Sequence, residues 1–555
     1  MSEKEYIVVV KRGIDLNEID AEMQSSSGND IIPQRAVDVA NARVGSKRMT
    51  HYALTDEEAA QLSNDPRVLS VEIPIEQRED VVIELNARRF NNYDKPATTS
   101  GSLSGASPNL VNWGLIRSNQ STNGYSGTNN ANSSTDYFNY VLDGTGVDVV
   151  IQDTGIEANH PEWEDANGNS RLQQINWYAA SGISGTQHSE FYTDVDGHGT
   201  HVASTVAGKE FGWAKNATIY AQKLENIIGG QTDDGTGIST PDAFDTIRLW
   251  HNAKTNGRPT VVNMSWGASI PFSGSTRYTG LGGNYRGTGW NFGVDYTTES
   301  ALVSATGFNP GWGLYSAASG NRIPYRNPQY DAEIEDMIDD GIHICIASGN
   351  SSHKIDVVGG SDYDNTYTFG GSTYYYHRGS SPYSDEAFMV GNIAGGDTLY
   401  SGSPVANTDV PSITSNYGPG CNIWAPGQHI VAACSNTNSM TSMPYSFNTS
   451  FEQTSIGGTS MASPQVAGVC ALFLQAYPNL TPAQLQKMIF DYSKPTINFS
   501  QTGSTDYDIC PTGGINNYSP SSCGGLNRYL FNPYNKATPV SAIGSGSITG
   551  MKLVV

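Results

Sequence analysis

Apolar positions along the chain fall into two textures. Between residues 6 and 80 they come in short blocks: a run Tyr6–Val10, an amphipathic stretch Asp15–Met23, alternation through Met49–Leu54, a helix-like Asp56–Leu62 and a last strand Val68–Ile75. The order β-α-β-α-β predicts a small α+β unit. Beyond about residue 140, apolar strands alternate with helical patterns: Val147–Ile151, His201–Ala207, Thr218–Ala221, Pro241–Ala253, Thr260–Met264, Glu333–Ile338, Ile342–Ala347 and Ser463–Gln475. That alternation predicts βαβ units around a mostly parallel sheet, an α/β fold with its functional residues at the carboxyl ends of strands. Thr481-Pro482 starts one more helix, Thr481–Tyr492, with a capping residue followed by a first-turn proline. Residues 96–109, P-A-T-T-S-G-S-L-S-G-A-S-P-N, have the composition of a flexible linker. From about 267 to 326 no period holds, and the stretch reads as a surface insertion whose aromatics (Tyr278, Tyr285, Trp290, Phe292, Tyr296, Trp312, Tyr315) could contact substrate or pack the loop itself, packing being the favoured reading. The expected parts are an α+β unit over 1–80, a linker over 81–110, a large domain over 111–535 and a tail over 536–555.

Composition narrows the function. Of 555 residues, 31 are Lys or Arg and 54 Asp or Glu, a net charge of −23 that repels phosphate backbones and argues against a nucleic-acid partner. No apolar stretch of about 18 residues is present, so no membrane span is expected. The apolar run after Met1-Ser2-Glu3-Lys4-Glu5 is too short for a signal-peptide core, which leaves the compartment unknown, with extracellular, particle-associated and intracellular action all open. Six cysteines are too few for a disulfide scaffold. Cys421 with Cys434 and Cys510 with Cys523 share one spacing in loop-like sequence, which allows a local bridge in each pair, whereas Cys345 and Cys470 sit in apolar runs as small buried hydrophobes. None has zinc-ligand spacing.

Four short clusters carry candidate chemistry. Asp153-Thr154-Gly155 ends the buried strand V-D-V-V-I-Q, which presents Asp153 at a strand's carboxyl end; an aspartic-protease reading would need a second D-T-G, and there is none. D-G-H-G-T-H, Asp196–His201, opens a helix with glycines around His198 that let backbones approach closely. His198 and His201 lack the spacing and the glutamate of H-E-x-x-H, so no metal ligands are identified. G-G-T-S-M-A-S-P, Gly457–Pro464, leaves the Ser460 hydroxyl among small residues at a helix start, where a backbone N–H can face a developing oxyanion; a plain N-cap serine is the competing reading. I-A-S-G-N, Ile346–Asn350, follows a predicted buried strand, and the Asn350 amide could donate to the same oxyanion.

In this order (D-T-G with His160-Pro161 downstream, G-H-G-T-H-V-A, A-S-G-N, G-T-S-M-A-S-P) the clusters resemble the subtilisin-like serine proteases, whose chain order is Asp, His, Ser. The resemblance implies a three-layer subtilisin-like fold with Ser460 as nucleophile, His198 as general base and then acid, Asp153 orienting His198, and Asn350 in the oxyanion hole. It also implies that Ser265, Trp266 and Gly267 of V-V-N-M-S-W-G, together with Ala347, Ser348 and Gly349, pair with an extended polypeptide substrate. Residues 6–80, ending D-P-R-V-L-S-V-E-I-P-I, resemble the family's ferredoxin-like propeptide, a folding aid and intramolecular inhibitor. Trp113–Arg117 resembles the start of the mature enzyme and Leu526–Asn532 its last segment. No cofactor is implied for the chemistry; structural calcium is common in such proteases, but no D-x-D-x-D-G loop marks a site. The expected activity is that of a serine endopeptidase made as a self-inhibited precursor. Its rivals are a silent peptide-binding module on the same fold and a lipase or esterase, which would need G-x-S-x-G where residue 462 is alanine.

Overall fold

The computed structural model describes residues 3–25, 31–43, 45–74, 77–78, 82–85, 112–120, 140–225, 227–228, 235–272, 281–306, 321–351, 353–394, 409–412, 414–438, 440, 442–497 and 526–534. Its main sheet has seven strands in the order Ile423–Pro426, Phe388–Ile393, His343–Ala347, Thr260–Met264, Asp148–Asp153, Thr218–Lys223, Leu172–Gln173, every adjacent pair parallel. The central strands are buried along their whole length, which is why they read as unbroken apolar runs. Helices His198–Ala207 and Thr459–Ala476 pack on each other and on this sheet, and Thr240–Ala253 and Pro328–Asp339 pack together as a second helical pair, giving a three-layer α/β fold. Thr481 caps the helix Pro482–Tyr492 through a capping box with Gln484, as its sequence predicts.

The N-terminal sheet is antiparallel, ordered Val39–Asn41, Met49–Leu54, Lys4–Val10, Val68–Glu72, with the helices Leu16–Met23 and Asp56–Leu62. Val39–Asn41 adds a strand that the sequence pattern did not announce, because its three residues are half-buried or exposed and show no alternation.

The region 267–326 is more regular than expected. It holds the strands Trp266–Phe272, Gly282–Tyr285, Thr288–Asn291 and Asn321–Pro324 and the helix Glu299–Thr306. Tyr285 and Trp290 are buried and Phe292 and Tyr296 half-buried against the core, so these aromatics pack, while Tyr278, Trp312 and Tyr315 lie outside the described residues.

Cys421 and Cys434 do not form the bridge that their spacing allowed: both are buried free thiols. The Cys421 sulfur lies on the Asn416 carbonyl at 3.4 Å, while that of Cys434, at the end of the strand Ile430–Cys434, is pressed against Gly197. Cys345 and Cys470 are fully buried, their sulfurs 3.9 Å apart, and Cys510 and Cys523 lie outside the described residues.

Candidate active site

Asp153 is the last residue of the strand Asp148–Asp153, with parallel strands on both sides that fix where its side chain emerges. His198 is the first residue of its helix and follows Gly197, whose φ of 92° a side chain would resist. Two glycines let these ends meet. A Cβ on Gly199 would stand 2.1 Å from the Gly155 carbonyl oxygen, so only glycine admits this crossing of strand end and helix start. Asp153 Oδ1 then accepts from His198 Nδ1 at 2.6 Å, both side chains being fully buried. With its proton on Nδ1, the imidazole keeps a lone pair on Nε2, the nitrogen a general base needs.

Ser460 is the second residue of the helix Thr459–Ala476 and is fully buried. Its hydroxyl donates to the Ser265 carbonyl at 3.0 Å, and the Ser265 hydroxyl in turn donates to the Ser460 carbonyl at 3.0 Å. No hydrogen bond joins Ser460 to His198, whose Nε2 has no partner among the described residues. The Asn350 carboxamide oxygen accepts from the backbone N–H of Thr459 at 2.9 Å and from its hydroxyl at 3.1 Å, which commits the oxygen end to the helix start. Gly349, at φ 105°, donates its N–H to the Thr459 hydroxyl at 3.1 Å.

Sequence reasoning overlooked two supporting residues. Thr459 ties Asn350 and Gly349 to the serine helix. Asp194, buried, accepts from the Thr154 hydroxyl at 2.9 Å, from Gly197 N–H at 2.8 Å and from the Thr200 N–H and hydroxyl at 2.9 and 2.6 Å, so one carboxylate joins the D-T-G and G-H-G-T loops. Burial, with Asp196 nearby, raises its pKa. The clue was present in an aspartate four residues before His198, but an aspartate near glycine is ordinarily a turn residue.

Trp266 and Gly267 lie on the expected substrate-binding strand, where Trp266 faces Leu85 and Gly267 faces Glu84 in antiparallel register. Val82–Leu85 and Trp266–Phe272 are the two inner strands of a four-stranded sheet, with Ile227–Ile228 beyond the first and Asn321–Pro324 beyond the second. The Trp266 indole itself is buried and donates to Gln152 at 3.1 Å, so its backbone, not its ring, faces the added strand. Ala347 ends a central strand; Ser348 O accepts from Asn416 Nδ2 at 2.7 Å, and Gly349 O from Asn416 N–H at 2.8 Å.

The sequence profile described as the Subtilase family matches residues 144–506, a span holding all of these side chains. This chain belongs to the subtilase family. The subtilase is 25% identical over 505 residues to the extracellular serine proteinase of Thermus sp. (strain Rt41A), a match covering 89% of this chain and 85% of that one. It is 24% identical to subtilisin-like protease 1 of Trichophyton equinum, over 93% of this chain and 73% of that one. A solved cold-adapted subtilisin-like serine proteinase aligns over 76% of this chain and 98% of its own at 20% identity and a TM-score of 0.42. As a subtilase the chain is a serine endopeptidase, a hydrolase acting on polypeptides without a cofactor for catalysis. The described residues hold no group of three His, Cys, Asp or Glu side chains able to ligate a metal, so the family's structural calcium finds no cradle of that kind among them. No described helix is long and apolar enough to cross a membrane.

Proposed function

We propose that Ser460, His198, Asp153 and Asn350 carry out acyl transfer in this subtilase, and that the chain is a precursor inhibited by its own N-terminal unit. A serine hydroxyl is a weak nucleophile until a base takes its proton. His198 Nε2 serves as that base once the Ser460 hydroxyl turns from the Ser265 carbonyl, and Asp153 stabilises the imidazolium that results. The oxyanion formed at the attacked carbonyl meets the Ser460 N–H and the Asn350 side chain. His198 then returns the proton to the leaving amine, and water, deprotonated by the same imidazole, hydrolyses the acyl-enzyme. The substrate adds as a strand on Trp266–Gly267, with Ala347, Ser348 and Gly349 as the opposite wall.

The 2.6 Å Asp153–His198 bond, on a helix packed against the one that holds Ser460 in its first turn, carries the catalytic reading. The pairing of Val82–Leu85 with the substrate edge supports the precursor reading, because the chain's own segment occupies the place of a substrate strand. A fluorophosphonate probe tests both. Labelling of Ser460, abolished in Ser460→Ala and accelerated once the N-terminal unit is removed by limited proteolysis, is the expected result. No labelling before or after that removal would favour a silent peptide-binding module instead.

A further inference from the structure

The N-terminal unit meets the second helical pair through a seam of opposite charges. Its rim is exposed: Arg12 pairs with Asp339 and Glu386, and Lys47 with Asp340. Its centre is dry. The Arg43 guanidinium, 3% exposed, donates from Nε and Nη2 to Asp245 Oδ2 at 3.1 and 2.8 Å and from Nη2 to the Pro241 carbonyl at 2.8 Å. Glu333 is fully buried 3.5 Å from the same guanidinium, and neither of its oxygens has a hydrogen-bond partner among the described residues. The subtilase's own Arg248 lies 3.5 Å from Asp245 and 3.4 Å from Asp340. Next to it Arg48 donates to the Ala332 carbonyl and Glu335 and pairs with Asp336, while Ile7, Val9 and Met49 cover Ala332. A Cβ on Gly45 would stand 3.0 Å from Asp245 and Leu249 side-chain atoms, so the backbone at Gly45 lies tight on the helix Thr240–Ala253.

We infer that Arg43 is the latch that holds the N-terminal unit on the catalytic unit, as the cation hydrogen-bonded to the buried Asp245 carboxylate while the seam is closed. The inference rests on reading that unit as an inhibitor. Rim pairs in water contribute little, whereas a buried carboxylate deprived of its partner is costly. Without Arg43 the closed seam leaves buried Asp245 with Arg248, which it shares with Asp340. Removing Asp245 as well replaces both members of the hydrogen-bonded pair, and neutral replacement of both members of a buried pair is close to neutral in energy. The latch therefore makes an asymmetric prediction: one substitution opens the precursor, and a second, on the other side of the seam, closes it again.

The test is hydrogen exchange followed by mass spectrometry on the full chain carrying Ser460→Ala, so that no self-cleavage intervenes and the readout does not depend on the catalytic assignment. Arg43→Met is expected to speed exchange of the amides of Trp266–Ser269 and of residues 45–49 by about 100-fold, in line with breaking a buried ion pair. Arg43→Met with Asp245→Leu should return both to within about tenfold of the parent, and Lys47→Gln should change neither by more than about threefold. Unchanged exchange in Arg43→Met, a double variant no slower than the single one, or an equal effect of Lys47→Gln would each overturn the latch. If Arg43→Met also unfolds the strands Lys4–Val10 and Met49–Leu54, the double variant must still restore them, because Arg43 is no part of their core; failure to do so overturns it too. Fluorophosphonate labelling of the same variants with Ser460 intact separates the two readings, since no labelling of any of them defeats the catalytic assignment and leaves the latch standing on its exchange data.

Discussion

Gly199→Ala tests whether the close crossing of two backbones positions the catalytic pair. In an ordinary helix this change stabilises by about 1 kcal/mol, because alanine has the higher helix propensity. Here the added methyl would sit 2.1 Å from the Gly155 carbonyl oxygen and 3.1 Å from the Gly155 nitrogen and carbonyl carbon. Gly155 has little room to retreat: at φ 113° it is itself so close to Thr193 that a Cβ there would lie 2.1 Å from the Thr193 carbonyl oxygen. Relief therefore requires the helix start to move by roughly 1 Å, and a shift of that size at a reacting group costs about 100-fold in rate. The movement would pull on the Gly199 N–H bond to the Thr154 hydroxyl, 2.9 Å, and on the 2.6 Å Asp153–His198 bond one residue away. A drop of about 100-fold in kcat/KM corresponds to about 2.7 kcal/mol in the barrier, and the overpacking should lower stability by about 1–3 kcal/mol. Both are measured on the enzyme freed of its N-terminal unit by limited proteolysis, with a chromogenic peptide and by thermal unfolding. Activity within about threefold of the parent together with a raised Tm would show that Gly199 is an ordinary helix residue and that the crossing does not position His198.

Other outcomes follow from the same geometry. Ser460→Ala and His198→Ala should each lose at least about 10⁴-fold in kcat, since members of such a triad act as a unit, whereas Asn350→Ala should lose about 10²–10³-fold in kcat with KM little changed, the cost of one oxyanion donor in this family; steady-state kinetics separates the two. Burial holds His160 and His251 down to about 4 and His201, His343 and His377 down to about 3, so these imidazoles are neutral when folded and take up protons on unfolding. Their contribution to stability is present above the ordinary histidine value near 6.5 and is lost as pH falls below it, so Tm, followed by calorimetry, should drop between about pH 6.5 and 4; a Tm constant across that window would refute the burial argument. Cys421 and Cys434 should be alkylated after unfolding without reductant and protected before it, as read by peptide mapping.

Several features of this subtilase were legible in the sequence because they are local. The buried parallel strands announce themselves as apolar runs, and Asp153, His198, Asn350 and Ser460 stand out because each lies where a strand ends or a helix begins, among glycines and small residues whose purpose is close approach. The Gly155–Gly199 contact gives those glycines a concrete reason. What the chain alone left open depends on partners distant in sequence. Strands in the 267–326 region pair with residues as remote as Val82–Leu85 and Thr366–Phe369, so no short-range period marks them. Equal spacing suggested a Cys421–Cys434 bridge, yet the fold points one thiol at a carbonyl and the other at Gly197. Asp194 and Thr459 look like turn and cap residues until the loops they join are brought together. Arg43 is one of 31 cations in the sequence, and only the folded chain places it against Asp245, 202 positions away. Periodicity and residue type determine which segments bury a face and which end can hold a reactive group, whereas partners, registers and buried charge pairs are settled only when segments far apart in the chain compete for the same surfaces.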